Sequence, residues 1–222
     1  MISCILQSKG FNAGRPGAVN VCFDSPLLTG SYRRVLRQES GSTSFLRQSI
    51  SSVLGDDETK FVLKTGVSML ASGHLKQLFP KSKFILAVRD PVDHITIPRI
   101  YDPEVFSFLG YEETTYNDMP IEMKARFWRS AYRSALQGVF HHYDFDDVLI
   151  VRYEDLCGDT LGTLQKLFDF VGEENPNECC AFVSKQDDYR QGYRTFTEER
   201  IQQVQTITRN VREQFGYKNG LS

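Results

Sequence analysis

The 222 residues carry 26 basic and 28 acidic side chains, a formal net charge of −2, with 41% hydrophobic and 24% charged residues. That balance suits a folded domain; it excludes wholesale disorder and offers neither the positive field nor the basic tail that nucleic-acid binding needs. No run approaches the roughly 18 apolar residues of a membrane helix, and the start Met1–Lys9 turns polar too soon for a signal peptide; the five cysteines, lacking a Cys-x-x-Cys pair, indicate neither a zinc site nor a disulfide framework.

Residues 1–30 hold Gly10, Gly14, Pro16, Gly17, Pro26 and Gly30, and only Val19–Phe23 resembles a strand, so a poorly specified N-terminal segment is expected there. A single α/β domain is expected over 31–222. Phe45, Ile50, Val53 and Leu54 place a helix over Ser44–Leu54, stopped by Gly55. Phe61-Val62-Leu63 reads as a short strand, Val67–Phe79 as a helix ended by Pro80, and Phe84–Val88 as a strand. Strands that are apolar throughout mark a sheet covered on both faces, hence parallel strands with helical crossovers.

Ile97–Pro120, rich in Pro, Asp, Tyr and Phe, is expected as a long surface loop. Phe127, Trp128, Ala131, Tyr132, Leu136, Val139, Phe140 and Tyr143 recur at helical spacing and predict a helix over Met123–Tyr143. It leads into a third strand, Val148–Val151. Helices are expected at Leu161–Val171, Asn177–Val183 and Thr197–Phe215, the last opened by Thr197 with Glu198 and Glu199 in its first turn. The order predicts an α/β fold, a three-layer parallel sheet flanked by helices.

In such a sheet the ligand crevice lies beyond the carboxyl ends of the strands, which directs attention to Lys64, Arg89 and Tyr153. Two cations and an aromatic with a polar tip suit phosphates and a purine. Around them, Lys83–Asp93, Val151-Arg152-Tyr153-Glu154-Asp155-Leu156 and Phe61-Val62-Leu63-Lys64-Thr65 resemble three strand ends of the sulfotransferases that use 3′-phosphoadenosine 5′-phosphosulfate. Order and spacing agree over Phe45–Tyr217.

The resemblance implies the P-loop-like sulfotransferase architecture and roles for particular residues. Arg89 would pair with the 3′-phosphate, Tyr153 would lie by the adenine, and Lys64 would reach the reacting sulfonate. Ile97 stands where family members carry a Ser beside that phosphate, and Thr96 is the nearest hydroxyl. Arg190 and Gly192, in Tyr189–Arg194, are similar to the Arg-Lys-Gly that wraps the 3′-phosphate. Glu154 and Asp155 are expected to orient their turn and cap the next helix.

Gly66 replaces the His that small-molecule members use as base, and no other histidine takes its place: His74 falls inside a helix, His94 on an exposed-looking stretch, and His141-His142 end the long helix. Ser40–Ser44 matches the core of the family's phosphate loop, with Gln38-Glu39 where a Lys is expected; it serves either as that loop or as a helix cap.

Two functions follow. One is sulfonate transfer from that nucleotide co-substrate to a hydroxyl or amine of a glycan or small-molecule acceptor, with no metal. The other is a truncated or degenerate non-catalytic domain that binds nucleotide or a protein partner. A P-loop kinase would need Gly-x-x-x-x-Gly-Lys-Ser/Thr, which is absent. As written, the chain is expected to be cytoplasmic, with no nucleic-acid partner and no membrane segment; the secretory pathway (Golgi) is the expectation if the natural N-terminus is missing.

Overall fold

A computed structural model describes residues 26–54, 62–63, 67–99, 103–111, 115–174, 176–177, 180, 183 and 190–217. Two parallel strands form the sheet among these residues: β1 (Phe84–Val88) and β2 (Val148–Arg152), in register from Phe84↔Val148 to Val88↔Arg152. Among the described residues three helices precede β1: α1 (Pro26–Leu36), α2 (Ser42–Leu54) and α3 (Ser72–Leu78). Between the strands lie α4 (Pro91–His94), α5 (Pro103–Phe108) and the long α6 (Ile121–His142). After β2 come α7 (Tyr153–Gly158), α8 (Thr160–Val171), α9 (Gln191–Thr195) and α10 (Glu198–Gln214).

Successive strand residues point to opposite faces, and helices cover both. Phe84, Leu86, Val88 and Ile150 pack against Trp128, Tyr132 and Leu136 of α6 and Val211 of α10. Ile85 and Leu149 pack on the other side against Leu156 of α7 and Leu164, Leu167 and Phe168 of α8. With both faces covered, neither strand has reason to alternate apolar with polar residues.

Local chemistry fixes the helix ends. Asp90 accepts the Val92 N–H at 2.9 Å and Pro91 opens α4. Asp159 caps α8 through the Gly162 N–H at 3.0 Å, and the helix stops at Gly172, whose φ of 75° is the left-handed value a Cβ would disfavour. Thr197 caps α10 as its sequence predicts.

Several expectations change. The three-layer parallel sheet is reduced, among the described residues, to two strands: Val62 and Leu63 are not in a strand, while Phe61 and Val19–Phe23 lie outside the described residues. The helix expected over Val67–Phe79 is confined to Ser72–Leu78 after a turn, since Ser68, Ser72 and Gly73 favour helix ends over interiors. Ile97–Pro120 is not all loop: α5 and a 3₁₀ turn at Tyr116–Asp118 bury Val105, Phe106, Tyr116 and Met119 against Phe127. α1 has no counterpart among the expected elements; it packs Tyr32 and Val35 against Leu46 and Ile50 of α2. Asn177–Val183 falls mostly outside the described residues.

Candidate functional site: the carboxyl ends of the two strands

Because Val88 pairs with Arg152, the next residues of both strands emerge side by side. They are Arg89 and Tyr153. The Arg89 guanidinium carbon lies 4.8 Å from the centroid of the Tyr153 ring, a cation–π stack that presents a planar cation and an aromatic together. Burial raises the Tyr153 phenol above its ordinary pKa, so it is a neutral hydroxyl.

Below this pair the loops are pinned by a buried polar network. Asp90 and Arg212 form an ion pair at 3.0 Å with the Asp90 side chain 4% and the Arg212 side chain 3% exposed. The Tyr193 hydroxyl donates to the same Asp90 oxygen at 3.2 Å and lies 3.0 Å from the donating Arg212 Nη2. Glu154 accepts the Asp90 N–H at 2.9 Å with one oxygen and the Tyr217 hydroxyl at 2.6 Å with the other, so it ties the two strand ends to the segment that follows α10. Asp155 instead holds Arg152 through two bonds of 2.6 and 2.7 Å. Both carboxylates therefore orient turns, as expected, although neither caps the helix after them.

Asp93 completes the network from α4. Its Oδ1 accepts the N–H groups of Gly192 at 2.7 Å and Tyr193 at 3.3 Å, and its Oδ2 lies 3.5 Å from Arg190 Nε. Arg190 also stacks on Tyr193 at 4.3 Å. Gly192 sits directly on α4: a Cβ there would collide with the Val92 carbonyl oxygen and lie 2.6 Å from its carbon. Thr96 donates its hydroxyl to the Asp93 carbonyl at 2.8 Å.

His94 is a correction. The stretch after Arg-Asp-Pro is buried rather than exposed, and His94, 7% exposed, meets Tyr132 edge-on with centroids 6.2 Å apart. Burial, with the cations Arg99 and Arg89 nearby, lowers its pKa well below the ordinary value and keeps the ring neutral. His74 bonds Thr43 at 2.9 Å, away from the strand ends.

Of the residues predicted from sequence, Arg89 and Tyr153 are brought together, Arg190 and Gly192 are joined to α4 through Asp93, and Thr96 belongs to the turn that ends α4. Lys64, Thr65 and Gly66 lie outside the described residues. Asp90, Asp93, Tyr193, Arg212 and Tyr217 were not singled out. Arg212 gave one signal: it continues the buried stripe Ile201, Val204, Thr208, Val211 of α10, where a charge requires a partner.

Ser40–Ser44 runs from the α1–α2 connection into the first turn of α2, and the two helices pack on one another, so the strand that precedes a phosphate loop is replaced by a helix. Glu39 is engaged by Arg34 at 2.8 Å. Ser40 and Gly41 end the connection from α1, and Ser42–Ser44 open α2.

No helix among the described residues is long and apolar enough to cross a membrane. No curated protein matches the chain. Among solved structures, a sulfotransferase domain from the curacin biosynthetic pathway is similar at 14% identity and a TM-score of 0.47, over 96% of this chain and 84% of that one. The model of the sulfotransferase family matches residues 16–177, well over half of the sequence, and the chain belongs to that family.

Proposed function

We propose that this chain transfers a sulfonate group from 3′-phosphoadenosine 5′-phosphosulfate to a hydroxyl or amine of a glycan or small-molecule acceptor. The observation that carries the reading is the stack of Arg89 on Tyr153 at the carboxyl ends of adjacent parallel strands, in a chain of the sulfotransferase family. A guanidinium stays charged and bonds a phosphate bidentately, and the aromatic beside it suits a purine. The reading includes the P-loop-like three-layer architecture.

In this reaction the acceptor oxygen or nitrogen forms a bond to sulfur while the bond from sulfur to the 5′-phosphate oxygen breaks. Adenosine 3′,5′-bisphosphate leaves with that electron pair, and the acceptor's proton passes to a base. Arg89, Thr96, Arg190 and Gly192 surround the 3′-phosphate, Tyr153 the adenine, and Lys64 the charge that develops on the departing group. No step calls for a metal.

One observation favours a non-catalytic nucleotide-binding or interaction domain instead: Ser40–Ser44, the stretch most similar to the family's phosphate loop, follows a helix rather than a strand. Incubation with the ³⁵S-labelled donor and a panel of glycans and small alcohols and amines separates the two. Label on any acceptor, lost in Lys64→Ala, supports the enzyme. Nucleotide binding with no labelled acceptor supports the second reading.

A further inference from the structure

α4 and the Arg190–Tyr193 segment, far apart in the chain, meet through a carboxylate with no solvent access. Asp93 is 0% exposed, and its side chain engages Gly192, Tyr193 and Arg190, all in that one segment. Removing a carboxylate from water is costly, and an apolar side chain would join two segments at less expense. What a carboxylate supplies in addition is direction. It fixes two backbone N–H groups and one edge of a guanidinium at once.

Arg190 is thereby held on two sides. Its Nε faces Asp93 and its plane lies on Tyr193. Tyr193 is itself immobilised by Asp90, Arg212 and Gln205, the last donating to its hydroxyl at 3.2 Å. The contact with Asp93 uses Nε, so it leaves the terminal amino groups of Arg190 for another anion. Gly192 allows the turn to lie against the Val92 carbonyl, a closeness no side chain permits.

We infer that Asp93 is a positioning residue, which sets Arg190 for the 3′-phosphate of the nucleotide before that phosphate arrives. The inference rests on the proposed function and adds to it the residue that organises the second cation. An Arg ordered in advance loses less freedom when an anion binds, so selectivity for the 3′-phosphate depends on Asp93, which itself touches no ligand.

The test uses the whole chain and two ligands, adenosine 3′,5′-bisphosphate and adenosine 5′-monophosphate, titrated calorimetrically. The wild type prefers the bisphosphate. Asp93→Asn, which keeps an acceptor for Gly192 but loses the charge, reduces that preference by about tenfold, the scale of one charge-assisted contact, and leaves monophosphate affinity within about twofold. Arg190→Gln reduces the preference similarly, and the double variant loses no more than Arg190→Gln alone.

A folded Asp93→Asn protein with the wild-type preference, or effects of the two substitutions that add, overturns the inference while leaving the function standing. A wild type that binds neither ligand overturns both. Should Asp93→Asn fail to fold, the wild type serves: its preference falls more steeply below about pH 6, where Asp93 takes up a proton, than that of Arg190→Gln. Parallel profiles refute the inference. The groups facing Asp93 in that titration are Asp90, Arg190, Tyr193 and, through Asp90, Arg212.

Discussion

Replacing Gly192 by Ala opposes helix propensity to tertiary geometry. Gly192 lies in α9, and on propensity alone Ala would stabilise the helix by about 1 kcal/mol. Its Cβ, however, would meet the Val92 carbonyl oxygen, lie 2.6 Å from the Val92 carbonyl carbon and 3.0 Å from the Asp93 Cα, all backbone atoms with no flexible side chain to yield. The turn must move off α4 by roughly 1.4 Å or more to reach ordinary contact. That movement stretches the 2.7 Å bond from the Gly192 N–H to Asp93. Overpacking costs about 1–3 kcal/mol and loss of a hydrogen bond to a charged group about 1.5–3 kcal/mol, against about 1 kcal/mol gained in propensity, so a net destabilisation of about 1.5–5 kcal/mol is expected. Urea unfolding at pH 7.5 with an unchanged m-value measures it. A variant as stable as the wild type, or more stable, would refute the close approach of the two segments.

Arg212→Met leaves Asp90 buried without its cation and is expected to cost about 3–5 kcal/mol in urea unfolding, whereas adding Asp90→Asn recovers part of that loss; additive costs would contradict a coupled pair. Burial and the neighbouring Asp90 push the Asp93 carboxyl up from 3.8 to about 6, so the folded state holds that proton more tightly than the unfolded one. The stabilisation is complete below about pH 4 and is lost as pH rises through about 6. The unfolding free energy of the wild type relative to Asp93→Asn should therefore fall between pH 4 and pH 7, by on the order of 3 kcal/mol; a rise would reverse the sign of the reasoning. Ionised Asp93 thus costs stability at neutral pH, consistent with a group retained for positioning.

The strands at Phe84–Val88 and Val148–Arg152 were legible because a short, uninterrupted apolar run between polar residues is what a strand covered on both faces requires, and α6 because its buried residues repeat at helical spacing. Arg89 and Tyr153 were legible because parallel pairing places whatever follows the strands at one edge. α1 was not legible because Gly30 parts Leu27 and Leu28 from the apolar positions Tyr32, Val35 and Leu36. α5 was hidden among Pro, Asp and Tyr, residues that suit a loop until Val105 and Phe106 find Phe127. Asp90 and Asp93 read as ordinary turn residues. Their significance lies in partners 122 and 99 positions away, Arg212 and Gly192, and no local pattern reveals a pairing of that separation.

On the proposed function, the strand ends hold a nucleotide bearing a 3′-phosphate, with Arg89 on that phosphate. Calorimetric titration of the chain and of Arg89→Ala with adenosine 3′,5′-bisphosphate tests it most directly. Micromolar binding by the wild type, weakened about tenfold or more in Arg89→Ala, is the expected result, since one charge-assisted contact is worth about that factor. Absence of binding by the wild type, or equal affinity in a folded Arg89→Ala protein, would contradict it.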